Sequence, residues 1–458
     1  MKLKVPVIKN KIYEIYINDL NSEGQGVGKI DGFTVFVEKA LPNEYIKIII
    51  VKVKKNFAYG KIIEFLSKSK YRRNEFCENA KMCGGCQIQH LNYEGQLNFK
   101  RKKVFDCIQR ISKIDNIYID DIVGMNNNLN YRNKGQFPIG LSEKNLIDIG
   151  FYAKRSHNII NINKCYLQHS INDIIIKLFR EFMIENNIRP YDENTHTGDI
   201  RHLLTKVGFK TNEIMICIIG NCKKMPFKDK LINKFKVIKN IKSIVFSENM
   251  NKTNVILGSK ITTIYGRDYI IDYIGDIKFK ISALSFFQVN PIQTEKIYNK
   301  VIELADLKGN EIVFDLYCGI GTISLFFAKK AKKVIGIEVI KEAINDAKIN
   351  AKINNFDNVI FELGKAEDIF SKLYEVNNIK PDIIVVDPPR KGCDIDVINT
   401  IIKIKPKKVI YISCEPSTMA RDLKYLYEAG FCIKNITPFD QFPHTYHVES
   451  VTLLEKIY

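Results

Sequence analysis

Asp315-Leu316-Tyr317-Cys318-Gly319-Ile320-Gly321-Thr322 is a glycine turn between two apolar stretches. Before it, Glu311-Ile312-Val313-Phe314 is a short apolar run, as in a strand buried on both faces. After it, Ile323-Ser324-Leu325-Phe326-Phe327-Ala328-Lys329 predicts the opening of a helix. Strand, glycine turn and helix together bring a nucleotide-like ligand close to backbone. Gly319 and Gly321 permit the tight turn and keep side chains out of the ligand's way. Lys333-Val334-Ile335-Gly336-Ile337 predicts a second strand ending at Glu338, an acid able to accept hydrogen bonds from both ribose hydroxyls. Two glycines are fewer than a dinucleotide fingerprint requires, and a plain strand–helix connection would also use them.

Two later strands run into polar turns. Pro381-Asp382-Ile383-Ile384-Val385-Val386 leads to Asp387-Pro388-Pro389-Arg390-Lys391-Gly392. Lys408-Val409-Ile410-Tyr411-Ile412 leads to Ser413-Cys414-Glu415-Pro416-Ser417-Thr418. Near the end stands Phe442-Pro443-His444-Thr445-Tyr446-His447-Val448-Glu449-Ser450-Val451. Strands and helices alternate from about Ile281, which predicts a doubly wound α/β sheet over 281–458. In this order, the glycine turn and the DPPR, SCEP and HVESV stretches resemble the RNA 5-methyluridine methyltransferases that use S-adenosylmethionine. The resemblance covers nearly the whole chain and extends to the 23S ribosomal RNA subgroup, which carries a TRAM domain and an iron–sulfur cluster. It implies a Rossmann-like class I methyltransferase domain preceded by a small OB-like barrel and a β-rich central domain.

Composition agrees with such a chain. At 458 residues, two or three domains are expected, and 45% hydrophobic residues supply their cores. No apolar run reaches the length of a membrane span, and Met1-Lys2-Leu3-Lys4-Val5-Pro6 lacks the apolar stretch of a signal peptide, so cytoplasmic residence is expected; the chain is also expected to be a monomer. Eleven cysteines there read as thiols, metal ligands or nucleophiles rather than disulfides. The net charge of +19 points to a polyanionic partner, with nucleic acid the obvious one, although the chain is rich in lysine throughout.

Residues 5–66 alternate apolar and polar in short runs, such as Thr34-Val35-Phe36-Val37 and Tyr45-Ile46-Lys47-Ile48-Ile49-Ile50-Val51. Frequent turns between them predict a small antiparallel barrel. Up to Arg73 there are 15 Lys/Arg against 7 Asp/Glu, a net of +8, which suits a phosphate-gripping fold. The stretch resembles the TRAM RNA-binding domain. A central α+β domain is expected over 74–280. At its start Cys77, Cys83 and Cys86 surround Gly84-Gly85, and Cys165 is the best candidate for a fourth sulfur. All-sulfur ligation fits zinc or an iron–sulfur cluster; in the resembling subgroup four cysteines so placed hold a [4Fe-4S] cluster. Residues 93–111 predict a helix packing on the catalytic domain, with a basic stripe at Lys100, Arg101, Lys102 and Lys103 facing either RNA or solvent. Arg132 and Lys134 are candidate phosphate contacts, and Cys107, Cys217, Cys222 and Cys432 read as buried thiols.

The chemistry implied by the resemblance needs particular groups. C5 of uracil becomes nucleophilic only after a thiolate adds to C6, and Cys414, at the end of a buried strand, is the candidate nucleophile. The C5 proton must then leave, and Glu449 is the candidate base. Gln288, in Ser285-Phe286-Phe287-Gln288-Val289-Asn290, enters the family's active site near cofactor and base. Tyr317, Gly319, Gly321, Thr322, Glu338 and Asp387 complete the expected cofactor set. Asp387 borders uracil as well, and Thr322 stands where some members carry asparagine. Cytosine-C5 methylation would want a cysteine close to the Pro-Pro motif, where this chain has Arg390. The substrate implied is RNA, 23S ribosomal RNA ahead of transfer RNA; a non-catalytic RNA-binding factor is the reading that an intact Cys414 and Glu449 oppose.

Overall fold

The computed structural model describes residues 5–376 and 379–456. Five strands come first: β1 (Ile12–Leu20), β2 (Gly26–Ile30), β3 (Phe33–Val37), β4 (Tyr45–Val53) and β5 (Phe57–Ser67). They close into a barrel in the order β1-β2-β3-β5-β4. Closure comes from the period-two pattern: in β4, Ile46, Ile48 and Ile50 all point inward and meet Ile15, Ile17, Val35, Val37 and Ala58. Glu44, fully buried, ties the barrel to the segment beyond β5. It pairs with Arg72, while Arg72 Nη2 also donates to the Lys39 carbonyl at 2.6 Å.

The helix α1 (Tyr93–Cys107) starts at Asn92, whose side chain accepts from the Gly95 N–H, and runs into a π-helical turn at Ile108–Ser112. Next come β6 (Lys134–Leu141), β7 (Ile147–Tyr152), β8 (Ile159–Asn161), α2 (Ile171–Glu185), β9 (Ile200–Val207), β10 (Ile214–Gly220), α3 (Lys228–Phe235), β11 (Ile241–Glu248) and β12 (Lys260–Gly266). The strands form one sheet in the order β12-β11-β10-β9-β6-β7-β8. Strands β9 and β10 are buried along their whole length. Leu203, Ile216 and Ile218 face α2 and α3, where Phe179, Phe182 and Phe235 are fully buried. Each such aromatic contributes about 1.5–3 kcal/mol of burial. Leu204, Met215, Cys217 and Ile219 face the other way, into a core shared with residues of the segment 281–458. That two-sided burial explains why these strands read as continuous apolar runs rather than as alternation.

A hairpin, β13 (Tyr269–Ile274) and β14 (Ile277–Ser282), buries Ile270, Ile274, Ile277 and Phe279 in the same core. The remaining elements are α4 (Pro291–Ala305), β15 (Ile312–Leu316), α5 (Thr322–Ala328), β16 (Lys333–Glu338), α6 (Lys341–Ile353), β17 (Val359–Leu363), α7 (Ala366–Glu375), β18 (Ile383–Val386), α8 (Ile395–Ile404), β19 (Lys408–Ser413), α9 (Pro416–Glu428), β20 (Phe431–Phe439) and β21 (Glu449–Lys456). Their sheet runs β17-β16-β15-β18-β19-β21-β20, parallel except for β21, which is antiparallel to both neighbours. The strand order reverses between β15 and β18, the switch point where open α/β sheets bind ligands. The doubly wound sheet expected from the glycine turn is therefore present, with the barrel and the β-rich sheet ahead of it.

Helix α1 does pack on this domain: Val104 and Ile108 join the core that holds Met419, Leu423 and Ile436. Its basic stripe is split between buried and exposed positions. Lys100 is fully buried and ion-paired with Asp440, and it also donates to the Phe442 carbonyl at 2.9 Å. Lys103 is buried and donates to the Tyr446 carbonyl at 3.2 Å. Arg101 holds the Ile119 and Asp120 carbonyls, and Lys102 pairs with Asp19 and Asp106. A sequence shows the charges of a helix but not that a later loop brings an acid down onto one of them. Of the cysteines read as buried, Cys217 is buried, whereas Cys107, Cys222 and Cys432 are partly exposed. Among the described residues, no helix is long and apolar enough to cross a membrane.

Candidate active site

The glycine turn sits at the end of β15. Asp315 is fully buried and accepts from Ser324 Oγ at 2.5 Å; burial pushes its carboxyl up to about 7. Tyr317 takes a left-handed backbone (φ 73°), as do Gly319 (φ 55°) and Gly321 (φ 82°). The two glycines serve different ends. A Cβ on Gly319 would meet open space, so this glycine keeps a cradle clear. A Cβ on Gly321 would lie 2.8 Å from the Phe361 ring, so that glycine lets α5 pack on the sheet.

Glu338 ends β16 beside the turn. Its Oε1 accepts from the N–H groups of Val339 (2.8 Å) and Ile340 (2.9 Å), and its Oε2 from Gly319 (3.2 Å). The carboxylate is thus held in place, and Oε2 keeps a lone pair for a ribose hydroxyl. Val339 and Ile340, 60% and 54% exposed, offer apolar faces to the same cavity. Their signal in the sequence is two apolar residues directly after the ribose acid, which strand and turn patterns alone do not single out.

Cys414 lies between β19 and α9, half-buried. The turn is fixed by Ser413 Oγ, which accepts from the Glu415 N–H at 3.0 Å, and by Glu415, which accepts from Ser417 Oγ at 2.8 Å. Pro416 opens the helix, where its missing N–H costs nothing. Glu449 begins β21. The β19–β21 ladder ends at the Ser413–Ser450 pair, one residue short of Cys414 and of Glu449, and the two lie close enough for the Glu449 charge to act on the thiol. Asp387 lies at the end of the neighbouring β18. Burial, then the charges of Glu449 and Asp387, push the Cys414 thiol up to about 12, against the opposing pull of Arg390. Burial and the adjacent Asp387 raise Glu449 above the usual carboxylate range, and burial raises Asp387 likewise. Two acids packed together in this way cannot both ionise freely.

Gln288, Tyr317, Gly319, Thr322, Glu338, Asp387, Cys414 and Glu449 all line one cavity of about 1870 Å³. Gly321 does not line it, for the packing reason above. Arg132 lines the cavity and Lys134 does not. Thr322 Oγ1 shares a hydrogen bond with the Tyr298 hydroxyl at 2.9 Å.

Several residues that hold this site carried no sequence signal. Lys206, buried on β9, donates to the Ser282 and Ser285 carbonyls, both at 2.7 Å, just ahead of Gln288. Asn133 donates from Nδ2 to the Gln288 carbonyl at 2.9 Å. Asn290 donates to the Gln441 carbonyl at 2.9 Å, and Gln96 Oε1 accepts from the His444 N–H at 2.9 Å. The Lys206 and Asn133 bonds join the central domain to residues 282–288, the Gln96 bond joins α1 to the segment before Glu449, and the Asn290 bond ties the stretch after Gln288 to that segment.

Cys77, Cys83, Cys86 and Cys165 come together at the edge of the same region. They are unbridged, and each thiol is raised first by burial, with neighbouring thiols of the set adding to the shift at Cys83, Cys86 and Cys165. Cys86 is pushed up to about 12 and Cys165 to about 11. The Gly85 N–H points at Cys83 Sγ (3.4 Å), and Cys86 and Cys165 pack against Met125, Tyr131 and Leu167. Among the described residues, no group of three or more His, Cys, Asp or Glu side chains is arranged to hold a metal ion. The Gly84-Gly85 pair lines the catalytic cavity, and the Gln87 and Ile88 N–H groups donate to the His444 carbonyl at 3.1 and 3.2 Å.

Comparison with known proteins agrees with this geometry. The model of the tRNA (Uracil-5-)-methyltransferase family matches residues 93–457, and that of the TRAM domain matches residues 6–63. A Clostridium tetani protein named "Uncharacterized RNA methyltransferase" is 48% identical, over 99% of this chain and 98% of its own. A relative from Halalkalibacterium halodurans, also named as an RNA methyltransferase, is 47% identical over 99% of both chains. Among solved structures, the Pyrococcus abyssi tRNA (uracil-54, C5)-methyltransferase in complex with S-adenosyl-L-homocysteine matches with a TM-score of 0.78 and 29% identity. It covers 96% of this chain and 99% of its own. The chain belongs to the tRNA (uracil-5-)-methyltransferase family, with a TRAM domain at its head, and is an S-adenosylmethionine-dependent RNA uracil-C5 methyltransferase.

Proposed function

We propose that this enzyme methylates C5 of a uridine in 23S ribosomal RNA through a covalent adduct between Cys414 and C6 of the base. The observation that carries the reading is that Cys414 and Glu449, each one residue beyond the Ser413–Ser450 pair, line the same cavity as the glycine turn and Glu338, with the Glu449 charge acting on the Cys414 thiol. The Cys414 thiol loses its proton to solvent, its thiolate adds to C6, and the electron pair released from the C5–C6 double bond makes C5 a nucleophile. S-adenosylmethionine, when bound, supplies the electrophilic methyl group. Its site fits this chain: Gly319 leaves the cradle open, Glu338 takes the ribose, and Val339 and Ile340 flank an aromatic base. Tyr317, Thr322, Gln288 and Asp387 line the same cavity, and the resemblance implies that Asp387 borders both cofactor and uracil. Once C5 carries the methyl, Glu449 accepts the C5 proton, the C5–C6 double bond re-forms and the Cys414 sulfur leaves as thiolate.

Glu449→Gln should therefore halt the reaction after adduct formation. A denaturing gel is expected to show a protein–RNA band that the wild-type enzyme does not accumulate; turnover at the wild-type rate would assign the base to another group.

The four cysteines are proposed to hold one [4Fe-4S] cluster. All-sulfur donors, converging loops and a glycine pair beside Cys83 suit it. The same all-sulfur set is also chemically suited to a structural zinc ion. Anaerobically purified protein is expected to be brown and to carry iron; stoichiometric zinc without iron would assign a structural zinc site instead.

The choice of ribosomal RNA rests on the subgroup resemblance, in which a TRAM barrel accompanies a cysteine cluster. Physically, basic surface ahead of the catalytic domain can hold flanking RNA while one uridine is flipped into the pocket. Transfer RNA is the second reading. It is favoured by the Pyrococcus abyssi enzyme, named for uracil-54 of tRNA, which matches nearly this whole chain. Mapping 5-methyluridine in ribosomal and transfer RNA from cells with and without the protein decides between them. Loss confined to 23S ribosomal RNA is expected, and loss confined to transfer RNA would select the second reading.

A further inference from the structure

The catalytic cavity is larger than a small-molecule site. Such sites typically enclose about 300–1,000 Å³, whereas this one encloses about 1870 Å³. One wall is formed by the ends of β15, β16, β18 and β19, where the proposed cofactor and catalytic groups lie. A second wall comes from the central sheet: the irregular segment 249–259, which leaves β11 and returns as β12.

This segment has no regular structure, yet buried donors hold it. Arg201, on β9 and only 6% exposed, lies with its guanidinium over the Tyr191 ring. Its Nη1 donates to the carbonyls of Asn249 (3.1 Å) and Asn251 (2.7 Å), and its Nη2 to that of Thr253 (3.0 Å). Asn249, 2% exposed, donates from Nδ2 to the carbonyls of Val255 (2.6 Å) and Ile256 (2.9 Å). Two buried side chains thus fix five carbonyls of an otherwise free excursion. A segment held this way loses little further freedom when a ligand touches it.

While the backbone is occupied, the side chains of Asn251 and Thr253 are exposed on the cavity. Among the described residues, the Asn251 amide has no hydrogen-bond partner. Thr253 Oγ1 accepts from the Val255 N–H at 3.2 Å and keeps its proton to donate. Val255, 62% exposed, adds an apolar surface. An asparagine amide sets a donor beside an acceptor, which matches the hydrogen-bonding edge of a base. No lysine or arginine stands among the cavity-lining residues of this segment, so its chemistry suits a base edge rather than a phosphate.

We propose that Asn251 and Thr253, displayed by the Arg201-anchored segment, form a subsite that reads the base edge of a nucleotide adjoining the target uridine. This rests on reading the cavity as the site of RNA uracil-C5 methylation. Unstacked bases of single-stranded RNA are recognised at their edges, and flipping one nucleotide into a pocket brings its chain neighbours to the pocket's rim. Arg201 acts as a positioning residue: it touches carbonyls of the segment, not RNA.

The test uses the full chain with RNA from cells that lack it, together with oligonucleotides spanning the mapped uridine in which each flanking base is varied. Asn251→Ala is expected to raise KM for RNA on the order of 10-fold, the loss of one base-edge contact, with a smaller change in kcat. The variant should also flatten the preference among flanking bases, and Thr253→Ala should act in the same direction. Binding of S-adenosylhomocysteine, followed by calorimetry, should stay within about twofold of wild type, a shift of only about 0.4 kcal/mol. Wild-type KM and an unchanged flanking preference in both variants would overturn the subsite. So would weakened S-adenosylhomocysteine binding with KM for RNA unchanged, because the segment would then serve the cofactor. Failure of the wild-type chain to methylate uracil C5 would instead overturn the functional reading on which the subsite rests.

Discussion

Cys414→Ala is expected to lower methyl transfer by on the order of 10⁴-fold or more, which in practice means no detectable turnover. The size reflects the chemistry. Without a sulfur adding to C6, uracil C5 is too poor a nucleophile to take a methyl group, and among the described residues no other thiol lines the catalytic end of the cavity in a position to replace Cys414. Cys318, the other cysteine lining the cavity, is buried in the glycine turn. Alanine removes only a half-buried thiol from a turn fixed by Ser413, Glu415 and Pro416, so the fold and cofactor site should persist. Affinity for S-adenosylhomocysteine should match wild type, and no denaturation-resistant RNA adduct should form. Methyl incorporation from labelled cofactor and a calorimetric titration check the two halves. Full activity in this variant would sink the adduct mechanism and leave the family assignment standing.

Lys100→Ala is expected to destabilise the catalytic domain by about 3–5 kcal/mol, the usual loss when one partner of a buried ion pair is removed. Lys100 and Asp440 are both fully buried. Without the ammonium, Asp440 would be an uncompensated buried charge, and the Phe442 carbonyl would lose its donor. The segment that starts at Asp440 leads directly to Glu449, so activity should fall with stability. Denaturant unfolding followed by a probe in the catalytic core measures the first, and methyl transfer the second. Lys102→Ala, two positions on, should change stability by less than about 1 kcal/mol, because its partners Asp19 and Asp106 are solvent-accessible. Replacing Lys100 and Asp440 together by apolar residues of similar volume should recover much of the loss. A Lys100→Ala loss under about 1 kcal/mol would show that the pair is not what holds this segment.

These two residues differ in how far a sequence could reveal them. Cys414 stands at the end of an apolar strand, before a proline that must open a helix, and both features are local. Lys100 looked like its neighbours Arg101, Lys102 and Lys103: a cation on a helix. Its burial depends on Asp440, which approaches it only because β20 and β21 bring the end of the chain back past α1. The same holds for Lys206, Asn133 and Arg201. Each is an ordinary polar residue until carbonyls from a distant part of the chain are laid against it.

Local patterns along the chain specify its strands, helices and turns. Continuous apolar runs made β15, β16, β18 and β19 buried parallel strands, period-two alternation made the barrel, and the residues at the strand ends were the ones that line the cavity. These signals are legible because burial of a strand and the backbone needs of a turn are set by residues a few positions apart. The tertiary structure alone decided which of these ends face one another. It set Glu449 beside Cys414 through the antiparallel β19–β21 register, buried Lys100 on Asp440, and brought segment 249–259 of the central sheet to the catalytic cavity. Such contacts join residues far apart in the chain, and the free energy that selects them is the burial of whole sheets and helices against each other, which no local pattern of residues records.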